Sequence, residues 1–539
     1  MKKTLTALLL CICATLFAQT EDDFAAFFGS RTQYLTPILP GFHSDPSVCR
    51  VGEDYYLVNS TFEFFPGVPV FHSKDLVHWE QIGNCLTRKS QLDLTDCPPS
   101  GGVFAPTIRY DNGRFYMITT VIVYGSNFAR MANFIVHTTN PAGEWSEPII
   151  VNQGGIDPSL YFEDGKCYLV SNPNNTIMLS QIDPLTGEFI MEPKAIWTGT
   201  GGTYPEGPHI YKKDDWYYLL IAEGGTQYGH KVTIARSKTI DGIYESNPAN
   251  PLITHAKKDA QTSQIQGVGH ADLVDAIDGS WWMVCHGFRT MDGDHHLLGR
   301  ESFVVPVRWD TNAWPVVNFD GTLAVHEGAH ALPSSPVKEV SGEVSFNEDK
   351  LGFEWNYLRN PDESKYSLTS KKGYLRMFPT TVTLDDTKSP TFIGRRQEHI
   401  DFTCATSVSL NADGGKGTNE AGLTVFMNNN FHYDLFLQKE ENGGQSLVLR
   451  YRIGNITHIE KKISVDSPTV YLQVKGDTMN YSFAYSTDNK TFQSLGAANT
   501  RLLSTETAGG FTGIYLGLYA TTTSDASKAY ADFDWFEYK

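Results

Sequence analysis

Residues 45–60 read DPSVCRVGEDYYLVNS, and the same pattern returns four more times. The copies are APTIRYDNGRFYMITT from Ala105, DPSLYFEDGKCYLVSN from Asp157, GPHIYKKDDWYYLLIA from Gly207 and ADLVDAIDGSWWMVCH from Ala271. Val48, Ile108, Leu160, Ile210 and Val274 align, and seven residues after each stands Tyr55, Phe115, Cys167, Tyr217 or Trp281. Each copy is a short strand, a turn carrying Gly or Asp, and an aromatic second strand, which is the grammar of a hairpin. The copies start about 50 to 65 residues apart, room for a four-stranded unit with long loops. One such sheet cannot bury both its faces, so five must close into a ring. The pattern therefore predicts a five-bladed β-propeller over residues 34–325, with the first strand of every repeat lining the central channel.

Beyond Leu323 the texture changes. VHEGAHALPSSPVKEV reads as a linker through Pro333, Ser334, Ser335 and Pro336. No sixth repeat follows. From about residue 340, closely spaced alternating segments such as YLRMFP, TCATSVSL, AGLTVFM, HYDLFLQ, SLVLRYRI, GIYLGLYA and ADFDWFEY predict a β-sandwich over residues 340–539. The fold class expected is all-β, a five-bladed propeller followed by a C-terminal sandwich. A chain of 539 residues exceeds one ordinary core, which agrees with two domains. Its 12% aromatic content suits many pleated surfaces.

A net charge of −18 argues against nucleic acid or an anionic membrane surface as partner, since such binding relies on neutralising phosphates. A neutral ligand is compatible with it. Residues 1–18 have a Lys2-Lys3 start, an apolar stretch and Ala18 before Gln19, the marks of a secretory signal peptide and hence of an exported protein, periplasmic or extracellular. That stretch is too short to span a bilayer, and no other segment is a candidate. Six cysteines follow the leader, with no zinc spacing. Cys85 with Cys97 is the one close pairing export would permit; the others suit buried apolar sites.

The repeats also differ in an informative way. Three residues before the aligned Val48 position stand Asp45, Ala105, Asp157, Gly207 and Ala271; four before it stand Ser44, Phe104, Ile156, Glu206 and His270. Three inner strands thus bring a carboxylate to the channel mouth and a fourth brings histidine. Ala105 and Ala271 indicate that the slot takes uncharged residues, so the fold itself does not demand an acid there. Glu206 is one residue out of phase, which needs a bulge or a bend at Tyr204-Pro205 to restore its aim. Two carboxylates across a pocket are the minimum for glycoside hydrolysis, and a third raises the pKa of the acid. A sugar-binding propeller without catalysis stands open beside that reading.

The pieces GFHSDPSV, YYLVNSTFEFFPGVPVFHSKDLVHWE, GGVFAPTIRY, GGIDPSLYF, TYPEGPHIY, GHADLV and LGRESF, in this order, resemble glycoside hydrolase family 43 over residues 34–325. The resemblance implies Asp45 as general base, Glu206 as general acid and Asp157 as the residue that orients the acid and tunes its pKa. It implies inversion, with acid and base roughly 6.5–9.5 Å apart so that a water fits between base and sugar. Arg300 matches an arginine that reaches the terminal sugar and the acid cluster; Phe62 and Phe104 match ring walls of that subsite, where the family more often has Trp for Phe104. His270 matches a channel histidine that in some members holds a calcium or sodium ion through waters. No cofactor is required for the chemistry. Asp534 and Glu348 are candidate ligands of a structural Ca2+, although two surface acids is the better account of them. The C-terminal stretch, including FEWNYLRNP and ADFDWFEY, resembles the sandwich of the β-xylosidase-like branch, which packs on the propeller and can lend a loop to the pocket rim.

These matches imply an exo-acting glycosidase that releases β-D-xylose or α-L-arabinofuranose from plant hemicellulose oligosaccharides. An endo-arabinanase would need an open cleft, a binding propeller would not need the intact trio, and a phosphorylase would need more cations than Arg300 and His270. The preferred pentose, the parent polymer and the oligomeric state are not written in the sequence.

Overall fold

The structure, a computed structural model, describes residues 32–34, 36–124, 129–256, 258, 263–318, 321, 323, 328–330, 342–412, 416–440 and 443–539. The leader expected over residues 1–18 and the linker around Pro333–Pro336 lie outside them. What is described is nearly all β, with one α-turn, Thr505–Ala508, and three short 3-10 turns among the described residues.

Each repeat heads its own antiparallel sheet. The innermost strands are Ser47–Val51, Thr107–Asp111, Ser159–Glu163, Glu206–Lys213 and Ile265–Asp275, and each pairs with the aromatic strand that follows it. At least two further strands extend each sheet outward, as in the order Ser47–Val51, Asp54–Val58, Gly67–Ser73, Glu80–Leu86. The five innermost strands touch in sequence, and the fifth touches the first. Apolar residues of adjacent sheets share the layers between them. Tyr116, Ile118 and Ile135 of the second sheet, for example, pack with Leu160, Leu169 and Ile182 of the third. Such sharing is what a sheet with two apolar faces requires.

The channel is plugged by polar side chains. Asp272, fully buried, accepts two hydrogen bonds from Arg109 (2.8 and 3.0 Å), one from the Ser47 hydroxyl (2.7 Å), one from the Val48 N–H (3.1 Å) and one from the Tyr211 hydroxyl (2.6 Å). His209 Nδ1 stands 2.9 Å from both Arg109 and Ser159 Oγ, so one network ties all five sheets together. Burial opposes the Asp272 charge, but Arg109 overrides it and holds the carboxyl far below the ordinary range. At the seam, Ile38 and Leu39 bond to Ser302 of the last sheet.

Residues 342–539 form two sheets over one apolar core that includes Leu423, Leu435, Leu516, Val408, Leu472 and Phe533. One runs Thr391–Arg396, Tyr515–Thr522, Asn419–Asn428, Phe431–Lys439, Gln445–Ile453, Ile456–Ser464; the other centres on Tyr530–Tyr538, Phe402–Asn411, Val470–Gly476 and Asn480–Ser486. Each of the seven alternating segments picked out above contains a strand.

The two parts are fastened together. Tyr357–Leu358 pairs with Phe64–Phe65, and Phe64 stacks on Tyr515 with ring centroids 3.8 Å apart. Arg359, fully buried, donates to the carbonyls of Cys97 and Lys388 and to Asn429 Oδ1. The carboxylate of Glu506 takes up His296 Nδ1 (2.8 Å) and the Tyr228 hydroxyl (3.0 Å).

Cys85 and Cys97 correct an expectation. All six described cysteines are free and buried, these two within one apolar cluster alongside Leu86 and Leu92. Burial pushes the Cys85 thiol far up and the Cys97 thiol to about 12, the state of an inert apolar filler. Among the described residues no helix is long and apolar enough to cross a membrane.

Candidate active site

Three carboxylates converge at the mouth of the channel. Asp45 stands just before its inner strand with φ of 55°, and Asp157 does the same with φ of 52°. Gly207, in the same slot, has φ of 56°, whereas Ala105 and Ala271 are not left-handed. The slot is therefore not uniform. In three repeats the backbone takes a form that Asp and Gly tolerate better than most residues, so the two aspartates have a backbone reason as well as a charge. The inference that the fold makes no demand there holds only for the repeats with alanine.

Asp45 is buried. Its Oδ1 accepts from Arg300 Nη1 at 2.6 Å and its Oδ2 from the Ser60 hydroxyl at 2.6 Å. His286 Nδ1 lies 3.1 Å from both the Asp45 backbone N and Asp45 Oδ1, within reach to accept from the first or donate to the second, and His270 Nδ1 lies 3.8 Å from Oδ1. Burial favours protonation of Asp45, but Arg300, helped by His286 and His270, prevails and holds its pKa well below the ordinary value. Burial pushes His286 down to about 3, so Arg300 supplies the positive charge.

Glu206 opens the strand Glu206–Lys213. A register shift between Glu206 and His209, with positive φ at Tyr204 and Gly207, is the bulge that brings the out-of-phase residue back to the channel. A side chain at Gly207 would press on the His270 ring, 3.0 Å from Cε1, so glycine is needed for space as well as angle. Burial, then the negative charge of Asp45, pushes Glu206 up to about 7, with Arg300 only partly opposing. Asp157 accepts the Gly207 N–H at 3.2 Å and so braces the bulge; burial, Glu206 and Asp45 raise its pKa well above the ordinary value.

Arg300 is buried and also donates to Thr226 Oγ1 at 2.9 Å. Phe62 and Phe104 do meet here, with centroids 5.2 Å apart. The sandwich adds a ring that the sequence reading did not name: Phe511 stacks on Phe62 at 5.6 Å, and the Arg300 guanidinium lies 5.9 Å from the Phe62 ring centre and 5.8 Å from that of Phe511. The Phe511 N–H donates to Ser100 Oγ of the N-terminal part at 2.8 Å.

His270 stacks on His286 at 5.6 Å, and His286 on His230 at 5.1 Å. His286 and Ser60 were missed, yet a signal existed. They share one aligned position towards the end of the repeat, where Ser60, Thr120, Asn172, Ala222 and His286 are polar in four of five copies. Phe511 gave no comparable signal, being a loop residue of the other domain.

Among the described residues, no set of direct metal donors stands around His270. Ca2+ wants six to eight oxygens, whereas His270 faces a carboxylate already engaged by Arg300, and among the described residues no three His, Cys, Asp or Glu side chains are grouped to hold an ion. That holds equally for Asp534 and Glu348.

One carboxyl held ionised beside another held protonated near neutrality is the charge state that acid–base cleavage of a glycosidic bond requires. This defines a class, the glycoside hydrolases. The family described as "Glycosyl hydrolases family 43" matches residues 34–315, and "Beta xylosidase C-terminal Concanavalin A-like domain" matches residues 343–539. A "Non-reducing end alpha-L-arabinofuranosidase BoGH43B" of Bacteroides ovatus is 41% identical over 513 residues, 95% of each chain. A "Xylosidase/arabinosidase" of Butyrivibrio fibrisolvens is 37% identical over 93% of this chain and 98% of its own. The solved structure of a GH43B protein from a Bacteroides ovatus xyloglucan PUL covers 94% of this chain and 100% of its own, with TM-score 0.89 at 40% identity. The chain belongs to glycoside hydrolase family 43 and is a glycosidase.

Proposed function

We propose that the protein is an exo-acting, inverting glycosidase that removes β-D-xylose, α-L-arabinofuranose or both from the non-reducing ends of hemicellulose oligosaccharides. Asp45 is the base that deprotonates water, Glu206 the acid that protonates the departing oxygen, and Asp157 the group that orients Glu206 by bracing the bulge at Gly207. Arg300 holds Asp45 ionised, and Phe62, Phe104 and Phe511 wall the terminal sugar. The five sheets are the blades of a five-bladed propeller over residues 34–325, and residues 340–539 are the sandwich that contributes the Phe511 wall.

What carries this is the opposed environments of two neighbouring carboxyls at the channel mouth: Asp45 held down by its Arg300 ion pair, Glu206 pushed up to about 7 by burial and by Asp45 itself. Environments that drive two acids apart mark which one gives the proton and which one takes it. The names of the Bacteroides and Butyrivibrio relatives support arabinofuranose and xylose as the sugars. A sandwich loop closing one side of the pocket favours exo action over an open endo cleft. Residues 1–18 are read as a leader that exports the enzyme to its polymer-derived substrate.

Release of p-nitrophenol from the β-D-xylopyranoside and the α-L-arabinofuranoside tests the proposal, with Asp45→Ala as control. Cleavage of at least one, lost in Asp45→Ala, is expected. Full activity in Asp45→Ala would remove the base assignment, and cleavage of neither glycoside would remove the exo-pentosidase reading.

A further inference from the structure

Tyr204 has a placement that the chemistry above leaves unexplained. It precedes Pro205 and stands two residues before Glu206, with φ of 52°. A left-handed backbone is costly for a bulky aromatic, and proline steers its predecessor toward extended forms. Glycine would take the turn without steric cost, and the same stretch uses it at Gly199, Gly201 and Gly207. The turn accounts for the backbone but not for the ring. Packing does not account for it either, because Tyr204 is 62% exposed. Its ring borders Gly225, where a Cβ would lie 3.6 Å from Cδ2.

The loop beneath the ring is firmly held. Glu223, fully buried, accepts from the Thr200 N–H (2.8 Å), the Thr200 hydroxyl (2.7 Å), the Gly202 N–H (3.1 Å) and the Thr233 hydroxyl (2.8 Å). The Gly224 N–H donates to the Thr203 carbonyl at 2.7 Å, and Asn172 Nδ2 to the Pro205 carbonyl at 2.9 Å. Next to Gly225, Thr226 accepts from Arg300. An exposed ring on a fixed loop, bought with backbone strain beside a reactive carboxyl, is a pre-organised contact for something outside the chain.

We propose that Tyr204 is the platform on which the leaving-group sugar of an oligosaccharide stacks, making it a specificity-determining residue for substrates with a sugar beyond the bond that breaks. This rests on Glu206 being the acid. The oxygen that Glu206 protonates belongs to the leaving group, so the next sugar lies on the Glu206 side of the pocket, where the Tyr204 loop stands. The C–H face of a pyranose covers an aromatic ring, and its hydroxyls stay in water.

The test compares kcat/KM on xylotriose or arabinotriose with kcat/KM on the matching methyl glycoside, which has no second sugar. Tyr204→Ala lowers the ratio of the two about tenfold, the scale of losing one aromatic anchor, and Tyr204→Phe keeps it. A ratio unmoved by Tyr204→Ala, with the wild type active on the trisaccharide, overturns the platform and leaves the exo-pentosidase reading standing. A wild type that cleaves neither trisaccharide overturns both. A general loss of folding would lower both rates together and leave the ratio unmoved, which again counts against the platform.

Discussion

Arg300 Nη1 lies 2.6 Å from Asp45 Oδ1, a buried ion pair that joins residues 255 positions apart in the chain. Buried charges persist only when paired, and here the pair sets which carboxyl of the site is ionised.

Removing that cation raises the Asp45 pKa. Asp45 must be ionised to act as base, so the acid limb of the kcat/KM profile moves to higher pH in Arg300→Gln, and activity at neutral pH falls. Arg300→Lys keeps a charge but not the guanidinium geometry and shifts the limb less. An acid limb that stays in place in Arg300→Gln would detach Arg300 from the base.

Glu206 sits at about 7 and works protonated, so the alkaline limb of wild-type kcat/KM belongs near that pH. Glu206→Gln abolishes the limb and lowers kcat on an oligosaccharide by about 10²- to 10⁴-fold. Glycosides with acidic phenol leaving groups lose far less, since they depart without a proton. Equal losses across a leaving-group series would contradict the acid role.

The channel plug is a stability element. Removing one member of a buried ion pair strands the other, so Asp272→Ala costs about 3–5 kcal/mol in a denaturant titration. Asp272→Leu combined with Arg109→Met costs much less than the sum of the single changes. Because the Asp272 carboxyl is depressed in the folded protein, its contribution is present above the ordinary carboxylate range and is lost as pH falls through and below that range. A melting temperature insensitive to either single change would show that the network is not holding the ring.

Phe511→Ala raises KM about tenfold, on the scale of one lost aromatic anchor, with a smaller change in kcat. Glu506→Ala, which removes the side-chain ties of the Thr505–Ala508 turn to His296 and Tyr228, acts in the same direction through the position of Phe511. Unchanged steady-state constants in both variants would show that the sandwich loop plays no part in substrate binding.

Much of this arrangement is legible in sequence because a repeated fold repeats its pattern. Five aligned apolar positions mark five inner strands, and departures from the pattern single out Asp45, Asp157, Glu206 and His270. What stays hidden depends on three dimensions. The phase of Glu206 calls for a bulge, but its place between Glu206 and His209 is a backbone event, and the left-handed turns at Asp45 and Asp157 leave no trace in residue spacing. Arg109 and Asp272 read separately as ordinary strand residues, and only closure of the ring brings them together. Phe511 arrives from a domain joined after residue 340. Cys85 and Cys97 are close in sequence, yet the core claims both as apolar filler.

In the proposed mechanism Asp45 activates water rather than attacking the sugar. Proton NMR of the first anomer released from a xylo- or arabino-oligosaccharide tests it most directly. Inversion is expected, with α-xylose appearing first from a β-xyloside or the β-anomer first from an α-L-arabinofuranoside. A retained anomer appearing first would require a covalent glycosyl-enzyme and would contradict the account.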